Sequence, residues 1–274
     1  NTGSGNTINA FGISGTIDQN FTLAQSSCGF PFVLIGDVLL TENHTLDIPA
    51  GEVIKCLGGS NAGLSVRGTL NAIGTSSQNI IFTSLYDDTY GGDLNGDGNA
   101  TSPAKGNWRS VYFNGNGTTR QGIGNMDYCK VLYAGGNYSP AVDFYASDEG
   151  YFTNGLVQYS YYYGLKSYND TLTLTNNSFL DCDYQGVYAQ NTVASLNNSI
   201  FNNNGSDGIY AASNSELQIN DCQFNNNGGY AARLDGVKIS TYTNNTGSGN
   251  TINAFGISGT IDQNYTLSHS SCGF

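Results

Sequence analysis

Apolar and polar residues alternate along the second half of the chain in short runs that end at asparagine. Leu172-Thr-Leu174, Ala194-Ser-Leu196 and Leu217-Gln-Ile219 each put two apolar side chains on one side of an extended segment. That period of two is the mark of a β-strand with one buried face. A phenylalanine follows each run: Phe179, Phe201 and Phe224, at spacings of 22 and 23, with Val157 lying 22 residues earlier. Seven residues after each of these four comes Gly164, Gly186, Gly208 and then Ala231, and the glycines are followed by Leu165, Val187 and Ile209. The runs Asn202-Asn203-Asn204 and Asn225-Asn226-Asn227 fall between strands, where asparagine's tolerance of left-handed backbone suits a corner.

A period of about 22 with short strands and Asn/Gly corners predicts an all-β fold, a parallel β-helix. Each coil stacks on the one before at roughly 4.8 Å. Aligned Phe, Leu, Ile and Val fill the interior, and helices are nearly absent. The first half follows the same logic less regularly, with strands expected over 33–40, 46–54, 64–70, 80–83 and 108–113. Between the last two, the Asp/Gly-rich stretch 87–105 reads as a loop protruding from the solenoid.

The chain also repeats itself at long range. Residues 1–30 return as 245–274 with three differences: Phe21 against Tyr265, Ala24 against Ser268 and Gln25 against His269. Shared fold physics preserves pattern, not identity, so this is duplication of a 244-residue unit, and repetition governs how the remainder is divided. The expected organisation is a junction segment over 1–30, a β-helix body over 31–244 and the start of the next tandem repeat over 245–274. A unit of on the order of ten coils rises roughly 50 Å at the inter-strand spacing.

Composition narrows the function classes. Charged residues make up 11% of the chain, yet it carries 19 Tyr and 13 Phe, which is the reverse of a disordered composition. A net charge of −12 argues against nucleic acid, whose phosphates call for Lys and Arg. No run of 18 apolar residues is present, so no membrane span is expected in this segment.

The run TLDIPAGEVIKCLGGSNAGLSVRGTLNAIGTSSQNIIFTSLYDD, followed by GGDLNGDGNATSPAKGNWRSVYF, resembles the right-handed parallel β-helix repeat domains of large bacterial secreted surface adhesins and filament proteins. The resemblance covers 31–113 in sequence detail and the rest in coil pattern. It implies an extracellular, cell-surface setting. It is specific for fold and weak for function, because this solenoid serves lyases, hydrolases and adhesins alike.

Four sets of residues carry candidate chemistry. Asp93-Leu-Asn95-Gly-Asp97-Gly98-Asn99 matches the first half of a calcium loop, and alternate acidic side chains supply the oxygens calcium requires. Asp87 and Asp88 add further oxygens, so calcium is the expected cofactor. Ala104 stands where an EF-hand needs glutamate, which excludes the helix-paired form. Tyr161 and Tyr163, two apart in a tyrosine run, are candidates to stack on sugar rings from one strand face. Asp181 and Asp183 flank Cys182 as the nearest approach to a paired carboxylate, with no third acid or base evident. Cys28 and Cys56 lie close to one irregular coil apart and form the expected disulfide, whereas Cys182 and Cys222, two coils apart, exceed bridging distance.

The expected function is therefore a non-catalytic structural and adhesive repeat, not an enzyme. Its expected partners are adjacent tandem repeats or identical subunits end to end, and extracellular or cell-surface glycans. The alternative is a polysaccharide-binding or polysaccharide-active β-helix of lyase or hydrolase type.

Overall fold

The structure, a computed structural model, describes residues 5–259 apart from 26–28, 60, 116–120 and 239. It is an all-β parallel β-helix. A representative coil runs from Ser178–Leu180 on a first face to Val187–Gln190 on a second and Val193–Asn197 on a third, then returns to the first face at Ile200–Asn202. Strands on each face pair in parallel with those one coil away. The register Leu165, Val187, Ile209, Ala232 on the second face shows steps of 22, 22 and 23 residues. Among the described residues the first and second faces merge into an 18-stranded sheet, and the third is a separate 9-stranded sheet. Helix is nearly absent among them, as expected; a 3-10 turn lies at Gly136–Tyr138.

The periodic phenylalanines stack where the pattern puts them. Phe179 and Phe201 lie 5.3 Å apart, Phe201 and Phe224 4.8 Å, and both pairs are nearly parallel. Earlier coils carry large rings on the second face as well, where Phe113 stacks on Phe144 at 4.4 Å, beside Phe32 and Phe82 on the first. The third face makes room with glycine: a Cβ on Gly150 would sit 2.3 Å from Leu172 and 2.6 Å from Phe144.

The asparagines do two separate jobs. Those at corners adopt left-handed backbone, as at Asn176, Asn198 and Asn203. Buried ones form a ladder inside the turn. Asn204 Nδ2 donates to Phe179 O and to Asn227 Oδ1, and Asn227 Nδ2 donates to Phe201 O and to Asn250 Oδ1. Each rung ties a carbonyl of an earlier strand to a buried side-chain amide that needs a partner. Leaving such a group unpaired costs about 1–3 kcal/mol.

Two strands expected as continuous are each broken by a corner. Thr45–Ile48 lies on the third face and Val53–Cys56 on the first. Gly63–Val66 and Thr69–Ile73 are likewise divided between the second and third faces. Corners escape a period-two reading because alternation resumes on both sides of them. The one at Gly68 depends on missing atoms: a Cβ there would stand 2.2 Å from His44 O and 2.6 Å from Thr41 O. The strand expected over 108–113 begins only at Val111. Trp108, fully buried, donates from its indole nitrogen to Leu132 O at 2.7 Å.

Cys56, Cys129, Cys182 and Cys222 are free buried thiols. Burial raises the pKa of each, Cys222 to about 11. Cys28 lies outside the described residues, and its expected partner Cys56 is fully enclosed in the core of the first face.

Candidate functional site

The outward side of the second face gathers most of the chain's unused chemistry. Alternation along each strand points one residue in and the next out, and the register lines up the outward ones. Ser65, Tyr112, Asp143, Lys166, Tyr188, Tyr210 and Arg233 form a single file, one per coil. A parallel file holds Asn114, Tyr145, Tyr168 and Gln190. Aromatic contacts run along both: Tyr145 stacks on Tyr168 at 5.1 Å, Tyr163 on Tyr188 at 5.0 Å, and Tyr188 meets Tyr210 edge-on at 5.4 Å. Arg233 caps this row, its guanidinium 4.2 Å from the Tyr210 ring and its Nε 3.1 Å from Asp207 Oδ2.

Tyr161 and Tyr163 belong to this aromatic surface, but not through strand alternation. Residues 159–163 form the corner between Leu156–Gln158 and Leu165–Tyr168, so the premise that they share a strand face does not hold. Tyr161 packs against Tyr138 at 5.7 Å, whereas Tyr163 contacts Tyr162 at 4.0 Å and Tyr184 at 5.9 Å. Tyr138 is 65% exposed at the head of the group.

Beside Tyr138, at the N-terminal end of the file, lies a cleft of about 330 Å³ lined by Asp37, Ser65, Arg109, Ser110, Tyr112, Ser139 and Asp143. Arg109 Nη2 donates to Asp37 Oδ1 at 2.5 Å and to Ser65 Oγ at 2.9 Å. Across the cleft, Asp143 Oδ1 is buried with no hydrogen-bond partner. Burial raises the Asp143 carboxyl to about 6, against the pull of Lys166. Burial and the neighbouring Asp143 push Tyr112 up to about 12. A carboxyl titrating near neutrality in a cleft can both take and give a proton. Sequence reasoning missed Asp143, Arg109 and Asp37. They are far apart in the chain, and each is an ordinary polar residue in its own segment until the coils align them.

Asp181 and Asp183 do not form a carboxylate pair. They sit in a corner, with Asp181 in left-handed backbone. Asp181 Oδ2 accepts from Gln158 Nε2 at 2.8 Å, while Asp183 is ion-paired with Lys105 at 2.5 Å.

The Asp/Gly-rich loop leaves the solenoid after Ile80–Ser84 and lies back over the outward side of the first face. Fully buried Lys55 anchors it, its Nζ donating to the carbonyls of Asp87 and Gly92. Lys130 meets Tyr90 and Lys105 meets Asp183. Within the loop, carboxylate oxygens of Asp88, Asp93 and Asp97 lie within 4.8 Å of one another. Asp93 accepts backbone N–H groups from Gly98, Gly96 and Asp97, which hold its carboxyl below the usual range. Oδ1 of Asp88, Asn95 and Asp97 are buried and lack hydrogen-bond partners. Asp87 is turned to the base of the loop, bonded to Thr83 and Thr89, and Asn99 is exposed.

The family model described as "Right handed beta helix region" matches residues 109–271. No curated protein matches the chain. Among solved structures, a mutant form of the periplasmic alginate epimerase AlgG is similar over 83% of this chain and 77% of its own, at 9% identity and a TM-score of 0.38. The A-module of Azotobacter vinelandii mannuronan C-5 epimerase AlgE6 is similar over 87% of this chain and 90% of its own, at 14% identity and a TM-score of 0.28. Both neighbours are enzymes by name, and beside them the expectation that this chain is not an enzyme does not stand. At these identities they assign no activity to it.

Proposed function

The chain belongs to the right-handed β-helix family, and on that scaffold we propose that it holds an extended extracellular polysaccharide along the outward side of its second face and acts on it at the Asp143 cleft. The observation that carries this is the file itself. Tyr112, Asp143, Lys166, Tyr188 and Tyr210 repeat once per coil, a step of about 4.8 Å that is close to the advance of one sugar ring in an extended glycan. Tyrosine presents a flat apolar face and a polar tip to such a ring. Asp143 supplies the proton-transfer group. Arg109, already fixed by Asp37 and Ser65, offers charge and donors to a sugar hydroxyl or carboxylate in the same cleft.

The setting that fits is a secreted, cell-surface tandem-repeat protein whose contact with glycans is both adhesive and chemical. The test is turnover. The chain is incubated with uronate-containing and neutral polysaccharides, and the products are followed by NMR beside an Asp143→Asn variant. Binding with turnover lost only in the variant supports the reading. Absence of binding to every glycan class ends it.

For the loop we propose calcium, held by Asp88, Asp93, Asn95 and Asp97. Three buried oxygens without partners impose a desolvation cost that a cation offsets. Bound there, the ion fixes the loop against the first face.

A further inference from the structure

The duplicated segment is described at both ends of the solenoid, and each copy uses a different one of its two edges. At the N-terminal end, Phe11–Ile17 pairs forward, with Phe11 against Phe32 and Thr16 against Leu39. At the C-terminal end, Ile252–Ser258 pairs backward, with Phe255 against Ala232 and Ile257 against Leu234. Phe11 and Phe255 are the same residue of the repeat. One copy shows how the segment meets the coil that follows it, the other how it meets the coil before.

The side chains make the same division. The Phe255 ring packs on Phe224 at 5.6 Å, the last member of the interior phenylalanine stack. The Phe11 ring lies 6.3 Å from Phe32, which stands at the other end of that same first-face column. Phe11 is 39% exposed, and Ile13 and Ile17 close the core from one side only. The polar ladder repeats the pattern. Asn250 Nδ2 donates to Asn253 Oδ1, and the matching Asn6 Nδ2 donates to Asn9 Oδ1. The local turn is thus set by the segment's own sequence. Asn250 also accepts from Asn227 of the preceding coil, whereas Asn6 is exposed at the open end.

We infer that this segment is a shared coil. In the tandem protein its backward edge closes one 244-residue unit and its forward edge opens the next, so that consecutive units form one uninterrupted solenoid. The occupant of the open end beside Phe11 is the Phe224–Asp235 coil of a second copy of the unit, whose strand Tyr230–Asp235 pairs with the segment. One phenylalanine then touches Phe224 below and the next Phe32 above, and the asparagine ladder crosses the boundary. An open sheet edge left exposed invites non-specific pairing; here the repeat covers it with its own kind, as solenoids do when each coil contacts only its neighbours. The two pairings differ by four residues of register, since Phe255 joins the second-face column of Ala232 while Phe11 joins the first-face column of Phe32 and Gly15 the second-face column of Val38, so a coil that keeps both steps the cross-section sideways at each boundary. This inference is independent of what the second face binds.

The experiment compares the 274-residue chain with the same chain extended by one further 244-residue unit, using hydrogen exchange and small-angle scattering. The expected result is a single longer rod without articulation, in which the downstream copy of Phe32–Leu40 is as protected as strands inside the body. Phe255→Asp in the extended chain is expected to strip that protection from the downstream strand, while Phe255→Tyr leaves it intact. Two articulated rods would overturn the inference. So would a downstream strand whose protection ignores Phe255→Asp while Phe224 and its neighbours respond.

Discussion

Asp143 and Lys166 face each other directly across neighbouring coils, yet burial outweighs the lysine and lifts the carboxyl to about 6. An unperturbed aspartate titrates near about 3.9, so the folded state binds this proton more tightly than the unfolded chain. Its stabilising effect is complete below the unfolded value and is lost as pH rises through about 6. The shift is about two units at about 1.36 kcal/mol each, reduced by solvent screening to about 1–2 kcal/mol at neutral pH. Asp143→Asn is therefore expected to raise the melting temperature at pH 7 and to leave it unchanged near pH 3.5. Equal effects at both pH values would refute the assignment.

The tyrosines of the file are predicted to bind glycan additively along the coils. Tyr188→Ala removes a ring that contacts both Tyr163 and Tyr210. A loss of about 0.5–1.5 kcal/mol, roughly two- to twelvefold in affinity, is expected. Titration calorimetry against the bound polysaccharide reads it. Tyr128→Ala, at a corner away from the file, serves as the control.

Asn203 and Asn204 are neighbours with opposite sensitivities. Asn203 is exposed in left-handed backbone, so Asn203→Gly is expected to be nearly neutral and Asn203→Ala to cost about 1–2 kcal/mol. Asn204 is a buried rung bonded to Phe179 O, Asn227 and the Cys182 amide. Both Asn204→Ala and Asn204→Gly are expected to cost about 2–4 kcal/mol by leaving these groups unpaired. Denaturant melts of the four variants test the ranking.

Phe201 lies between two stacked neighbours with no exposed surface. Phe201→Ala is predicted to destabilise the chain by about 3–5 kcal/mol, and Phe201→Leu by considerably less, as read from the midpoint of urea unfolding.

Calcium at about a hundred times its dissociation constant is expected to stabilise the folded chain by about 2.7 kcal/mol, an effect that EDTA reverses. Asp97→Asn and Asp88→Asn should each abolish the response. Lys55→Met should loosen the loop, whose Asp87 and Gly92 carbonyls the lysine holds, without abolishing the calcium response, since the lysine attracts Asp88 and Asp93 but donates no hydrogen bond to their carboxylates. A melting curve indifferent to both EDTA and added calcium would remove the ion from the loop.

The sequence by itself determined the coil. Phe179, Phe201 and Phe224 at steps of 22 and 23 can all be buried only if each turn of chain returns to the same place, because apolar side chains of that size must share one interior. The asparagine corners and the duplicated 244-residue unit were legible for the same reason: they are periodic, and periodicity survives without coordinates. Corners inside 46–54 and 64–70 were hidden, since alternation is the same on either side of a bend. What only the tertiary structure decided was which outward residues become neighbours. Tyr112, Asp143 and Lys166 lie 31 and 23 residues apart in sequence and meet only through parallel register. Arg109 reaches Asp37 across 72 residues. Inward positions are constrained by packing and leave a pattern; outward ones are constrained only by what they touch across coils, and that contact is written in the stacking, not in the order of the chain.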